Sequence, residues 1–160
     1  MNVLLDVHAI SMAELNQHVG KEIGVSDWVT VTQEMVTKFA EATRDLEWMH
    51  IDVERSRRQS PYKGTIVQGF LAMSLVIEWT YELNFKTRDF DHGLNYGCDR
   101  LRFTSLMPTG CRLRGRFTLA AVTPRGPGQL VKLHCVVEME GSQKPAVVMD
   151  WLVLWLPKGL

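Results

Sequence analysis

The chain has 160 residues, 46% of them hydrophobic, which suits one domain (residues 1–160) with a sizeable core. Eighteen basic and eighteen acidic side chains give a formal net charge of zero, so bulk charge supplies no attraction to nucleic acid or to a membrane surface. The three cysteines, Cys98, Cys111 and Cys135, are odd in number and lack CxxC spacing, which argues against a structural zinc or a disulfide framework and fits a reducing compartment.

The N-terminus, Met1-Asn2-Val3-Leu4-Leu5-Asp6, has neither a basic n-region nor a long apolar core. It does not read as a signal peptide, and a cytoplasmic location is expected. Residues 1–24 read as an N-terminal extension holding a short helix. Ser11-Met12-Ala13-Glu14 fits a capping box at its start, and Gly20 provides a left-handed stop. Ser26–Val31 reads as a strand. Thr32 is placed to cap a second helix in which Met35, Phe39 and Ala42 recur at helical spacing, running out around Thr43-Arg44-Asp45. From Asp45 to Gly64 the pattern is irregular, with one short turn expected around Val53–Arg58. A connection of this length is more often functional than a short one.

Thr65–Leu83 follows the turn formers Ser60-Pro61-Tyr62-Lys63-Gly64. Its run from Phe70 to Ile77 is almost wholly apolar and rich in Ala, Leu and Met, which favours helix over strand. A helix apolar all round must be enclosed, and with roughly 10 apolar positions this one falls short of the ~20 that span a bilayer. It is expected to be the buried central helix of the domain.

Beyond it the period changes to two. Leu94, Tyr96 and Cys98 alternate, then Leu101 and Phe103 continue with shifted parity, which predicts a bulge near Asp99-Arg100. Two further alternating strands follow, separated by turn residues at Pro124–Gly128 and Glu140–Ser142. Ala146–Leu156 is apolar on both faces, interrupted only by Asp150, so it is central or covered by another subunit. Early helices, one long helix and four consecutive strands predict an α+β fold: an antiparallel sheet wrapped around a central helix, the hot-dog arrangement.

Two places carry candidate chemistry. Asp45 and His50 lie five residues apart in the loop after the second helix and can turn toward one water, where His exchanges a proton and Asp accepts one or orients the water. The plainer alternative is that Asp45 ends a helix and His50 makes an ordinary turn hydrogen bond. Gly69, preceded by Gln68, stands where the central helix begins. Its N–H lacks an intrahelical partner, and no side chain blocks approach of a carbonyl oxygen that gains negative charge. The alternative there is a glycine chosen for tight packing. Arg112, Arg114 and Arg116 form a cationic stripe read mainly as a solvated strand face. His8, His18, His92 and His134 show no metal-ligand spacing and read as surface or structural.

The segments FAEATRDLEWMH-ID, PYKGTIVQGFLAMSL, LNYGCDRLRF and SLMPTGCRL resemble the MaoC-like dehydratases, in particular their nodulation-protein-N-like branch, from about Trp28 to Trp155. The resemblance implies a hot-dog homodimer with its active site at the subunit interface. It also implies reversible addition of water to the 2,3 double bond of a coenzyme A or acyl-carrier thioester, without metal or redox cofactor. Asp45 and His50 match the pair that holds the catalytic water, and Gly69 matches the backbone donor to the thioester oxygen. Gln68, Ser74, Asn95 and Tyr96 match positions expected to line the pocket. The chain departs from the family in having Arg44 for Gly, Glu47 for Asn or Gln, and Gln68 for His. The expected function is an (R)-specific enoyl-CoA hydratase or 3-hydroxyacyl-CoA dehydratase. The alternatives are a hot-dog thioesterase and a non-catalytic acyl-CoA-binding accessory protein.

Overall fold

The computed structural model describes residues 1–159. Its seven strands are β1 (Asn2–Val3), β2 (Glu22–Val25), β3 (Val29–Thr30), β4 (Phe90–Phe103), β5 (Arg112–Arg125), β6 (Gly128–Met139) and β7 (Val147–Pro157). They form one antiparallel sheet in the order β1-β2-β5-β6-β7-β4, with β3 also pairing β5. The helices are α1 (Gln33–Thr43), α2 (Trp48–Ile51), α3 (Val53–Gln59) and α4 (Gly69–Glu82). No described helix is long and apolar enough to cross a membrane.

The inner face of the sheet packs on α4. Leu71, Ala72, Leu75, Val76 and Trp79 fall on one face of α4 and are buried against the inward residues of β5, β6 and β7 in a single core. Trp79 sits so close to the sheet that a Cβ on Gly115 would meet its ring at 2.6 Å. The expectation that α4 is enclosed all round does not hold within one chain. Phe70, Ser74 and Tyr81 lie on its other side and are exposed.

β7 lies between β6 and β4, so it is central in the sheet with both ladder edges paired, while its outer apolar residues Val148, Leu152 and Leu154 are half-buried. Val147, Met149, Trp151, Val153 and Trp155 point inward and are buried. β4 is an edge strand and is exposed along most of its length. Its register against β7 slips three times: between Phe90 and His92, between Asn95 and Gly97, and between Asp99 and Arg102. The last slip is the bulge predicted near Asp99-Arg100. The middle one corrects the shared face assigned to Leu94, Tyr96 and Cys98. Leu94 pairs Leu154 on the outer face, whereas Cys98, beyond the slip, pairs Trp151 and reaches the inward Met149 at 3.7 Å.

Three further expectations are revised. Residues 1–24 are built into the domain rather than appended: β1 pairs β2, β2 pairs β5, and Val7, Met12 and Leu15 are core residues. Glu14 does reach back to the Ser11 N–H at 2.8 Å, but the helix it starts is one 3-10 turn, Leu15–His18. The buried face of α1 centres on Val36 and Ala40, with Met35 and Phe39 flanking it and Ala42 exposed.

Candidate active site

α1 starts at Thr32, whose hydroxyl accepts from the Met35 N–H at 3.3 Å. It ends where Arg44 turns into the left-handed region at φ 61°. That turn throws Asp45 off the helix end, with its side chain 44% exposed and 3.8 Å from His50 Nε2. The stretch after Asp45 is more ordered than its sequence suggested: α2 carries His50 in its last turn, and Asp52 caps α3 by accepting from the Arg55 N–H.

His50 is held on three sides. Its ring Nδ1 lies 2.7 Å from the Ile66 carbonyl. Its own carbonyl accepts from Gln33 Nε2 at 2.7 Å, and Gln33 Oε1 accepts from the Thr65 hydroxyl at 2.6 Å. The Ile66 N–H in turn bonds the Met49 carbonyl at 3.0 Å. A carbonyl can only accept, so Nδ1 carries the hydrogen and a neutral His50 leaves Nε2 bare. That bare nitrogen faces Asp45, and the ring is 12% exposed. The 3.8 Å separation exceeds a hydrogen bond but lets both groups reach one water.

The clamp joins His50 to the segment that enters α4. Ile66 bridges Pro108, and the Val67 N–H donates to the Met107 carbonyl at 2.8 Å. Gly69 is the first residue of α4, where an N–H has no carbonyl one turn back. A Cβ there would meet the ring of Phe103 at 2.8 Å, so any larger residue would have to displace that half-exposed ring, and close packing favours glycine. Gln68 is buried; its Nε2 donates to the Val36 carbonyl at 3.2 Å and its Oε1 has no partner. Its amide braces α4 on α1, a task for which no titrating group is needed.

The other expected pocket residues separate. Ser74 is exposed and donates to the Phe70 carbonyl one turn back at 2.8 Å, which is a helix-internal role. Asn95 accepts from Trp151 Nε1 at 3.1 Å and lines a cavity of about 220 Å³ at the C-terminal end of α4. Ile77, Phe90, Val153 and Trp155 form its apolar walls. Asp45, His50 and Gly69 are not among its lining residues. Tyr96 points away from it and is covered by the guanidinium of Arg125 at 4.5 Å. Glu47 is exposed at the start of α2; its backbone carbonyl accepts from the His50 N–H at 2.9 Å, while its carboxylate bonds neither Asp45 nor His50.

The cationic stripe is consumed locally: Arg112 pairs Glu140, while Arg114 and Arg116 pair Glu138. Burial pushes the Glu138 carboxyl up, but the two guanidinium bonds outweigh it and hold the group below its ordinary range. Burial pushes all three thiols up, so none presents a thiolate at neutral pH. Gln33 and the Ile66 carbonyl, both essential to the His50 clamp, were not anticipated. A backbone acceptor leaves no mark in a sequence, and Gln33 looks like any polar residue in a first helical turn.

Residues 14–135 match the MaoC like domain family. The chain belongs to that family. It is 40% identical over 149 residues to nodulation protein N of Rhizobium leguminosarum bv. viciae, covering 92% of each chain. It is 36% identical over 147 residues to the 3-hydroxyacyl-thioester dehydratase Z of Mycobacterium tuberculosis (strain ATCC 25618 / H37Rv), covering 91% of this chain and 96% of that one. Among solved structures, the R-hydratase PhaJ1 of Pseudomonas aeruginosa superposes with a TM-score of 0.71 at 19% identity, over 95% of this chain and 89% of that one. At that identity the likeness shows the hot-dog fold.

Proposed function

We propose that this MaoC-like protein is a hydro-lyase, an (R)-specific enoyl-thioester hydratase running reversibly as a 3-hydroxyacyl-thioester dehydratase. The observation that carries the reading is the Asp45–His50 pair, with the imidazole tautomer set by the Ile66 carbonyl. A water placed between a bare Nε2 and a carboxylate donates one hydrogen to each, which turns its oxygen lone pair outward. With C3 of a trans-2-enoyl thioester at that lone pair, the oxygen bonds C3 and the C2=C3 bond becomes single. One water proton passes to the Asp45–His50 pair and a proton returns to C2 on the same face. The two groups share that proton as a coupled pair. Negative charge developing on the thioester oxygen is met by the Gly69 N–H at the α4 N-terminus.

The working unit on this reading is a homodimer. β4 leaves one ladder edge unpaired, and α4 leaves Phe70 and Tyr81 uncovered on its outer side. A second copy pairing antiparallel along β4 encloses that side. It also sets the start of one β4, beside the Asn95 cavity, against the end of the other, beside Gly69. The acyl chain then occupies the apolar cavity and the thioester lies at the Gly69 end. The 40% relative bears a nodulation name and the 36% relative a 3-hydroxyacyl-thioester dehydratase name, and the second agrees with this chemistry.

The test is hydration of trans-2-enoyl-CoA substrates of several chain lengths by the purified protein, followed as loss of the conjugated absorbance alongside a free-thiol assay. The expected result is hydration without thiol release, lowered at least about 100-fold in Asp45→Asn. Thiol release in place of hydration would indicate a thioesterase, and substrate binding without turnover would sink the enzymatic reading.

A further inference from the structure

We propose that Arg100 and Asp150 are positioning residues: they fix a one-residue bulge in β4 that turns Phe103 inward onto Gly69 and so set the orientation of the α4 N-terminus. The catalytic consequence rests on the hydratase reading above; the structural chain of contacts does not.

Side chains alternate along a strand, so a one-residue slip exchanges the two faces for everything beyond it. Asp99 opposes Asp150 on the outer face, and Arg102 opposes Val148, with one residue more on β4 than on β7 between the pairs. Without that extra residue, Arg100 and Arg102 would face the core and Leu101 and Phe103 would face outward. With it, Leu101 packs against the core, and Phe103, 44% exposed, opposes the inward Val147 at the rim of the sheet.

The bulge needs a residue to absorb its turn. Arg100 does so at φ 51°, a left-handed backbone that any residue with a Cβ resists. What holds it there is Asp150, the one interruption in an otherwise apolar strand. Asp150 is 1% exposed although it points outward, because Arg100 and His134 cover it. Arg100 donates from Nε at 2.7 Å and from Nη2 to one carboxylate oxygen, and His134 Nδ1 lies 2.8 Å from the other. Alongside, Lys132 pairs Asp99 at 2.8 Å. Burial pushes the Asp150 carboxyl up, but the His134 and Arg100 bonds outweigh it and keep the group ionised.

The far end of this device is Gly69. The Phe103 ring packs onto the Gly69 backbone, 2.8 Å from where a Cβ would stand, and meets Phe70 edge-on at a centroid distance of 5.5 Å. The ring thus grips the first turn of α4 on two successive residues. The bulge latch, the inward ring and the free N–H form one line from Asp150 to the oxyanion donor.

Arg100→Val removes the latch and disfavours the left-handed backbone; Arg100→Gly removes the latch but favours that backbone. The first readout is the Gly69 amide resonance, which the Phe103 ring displaces, compared with Phe103→Leu as the ring-free reference. Arg100→Val should move the resonance toward that reference and Arg100→Gly should leave it near wild type. The second readout is hydration: kcat should fall about 10-fold or more in Arg100→Val and Phe103→Leu with KM nearly unchanged, as when a transition-state donor is misplaced, and recover in Arg100→Gly. A fall in Tm with kcat and the Gly69 resonance unmoved would overturn the proposal, as would an Arg100→Gly variant no better than Arg100→Val. Should Arg100→Val not fold, Phe103→Leu and Arg100→Gly still decide it: a ring-free variant with wild-type kcat and an unmoved Gly69 amide overturns it. If the wild type hydrates no enoyl thioester, the hydratase reading fails by itself while the amide resonances still decide the positioning.

Discussion

Two of the molecule's Asp–His pairs, those that link separate elements of the fold, are built from the same groups and put to opposite use. Asp150 and His134 are in direct contact at 2.8 Å, the carboxylate is buried, and Arg100 takes its remaining acceptor capacity. Asp45 and His50 stand 3.8 Å apart, the carboxylate is half exposed, and the imidazole spends its hydrogen on a backbone carbonyl instead of on its partner. A satisfied pair stabilises and orders its surroundings. An unsatisfied one keeps acceptors for a substrate or a water. The difference lies in what surrounds each pair, since the residue types are shared.

The largest separation between the pairs should appear in rate. Asp45→Asn is expected to lower hydration by roughly 10²–10⁴-fold, the usual contribution of a positioned acid or base. Its effect on stability should stay within about 0.5 kcal/mol, because the side chain is half exposed and makes no direct hydrogen bond. Steady-state kinetics beside urea unfolding measures both. A variant that loses stability in proportion to its rate would make Asp45 a structural residue.

Asp150→Asn should act mainly on stability. Charge-assisted hydrogen bonds contribute about 1.5–3 kcal/mol each, and for a chain of this size a loss of that order lowers Tm by roughly 5–10 °C. The pH dependence has a definite sign. The folded Asp150 carboxyl sits below its ordinary range, held there by His134 and Arg100 against the upward push of burial. Its stabilisation is therefore complete above the unfolded value near pH 4 and is lost as pH falls through the lower folded value. The gap between wild type and Asp150→Asn should be steady from neutral pH to about pH 4 and shrink below it. Urea midpoints across that range check this, and a gap that widens on acidification would show that the carboxylate is not what Asn removes.

The two pairs also differ in how far the sequence discloses them. Asp45 and His50 are close in the chain, so spacing alone suggests that they meet. The bulge at Asp99-Arg100 was legible too, because a parity change in an apolar pattern has few other causes. The slip between Asn95 and Gly97 left no such mark. Leu94 and Tyr96 keep an apolar alternation while facing outward, at an edge where a second copy is proposed to pair. β2 escaped notice because its four residues carry a glycine and apolar groups on both faces, giving no period to read. Asp150 stood out as an interruption, but Arg100, 50 residues away, gave no sign of reaching it. His134 reads from the sequence as surface or structural, and the structural role, its bond to Asp150, depends on a strand register that only the fold supplies. The exposed side of α4 shows the same limit: its apolar sequence demands a cover that one chain does not contain.

The smallest predicted effect makes the sharpest use of the comparison, because each pair has an arginine in the left-handed region beside it. Arg44 precedes Asp45 at φ 61°, and Arg100 latches Asp150 at φ 51°. A Cβ in that region costs about 1–2 kcal/mol, which glycine avoids at the expense of a more flexible unfolded chain. Arg44 makes no ion pair among the described residues, so Arg44→Gly has strain to release and no bond to lose. It should stabilise the fold by up to about 1 kcal/mol and leave hydration within about two-fold. Arg100→Gly releases similar strain but surrenders both bonds to Asp150, and should lower stability by about 1 kcal/mol or more while keeping the bulge and the rate. Equal and like-signed shifts in the two variants would mean that the Asp150 latch contributes nothing, and that the two pairs differ less in their surroundings than their geometry shows.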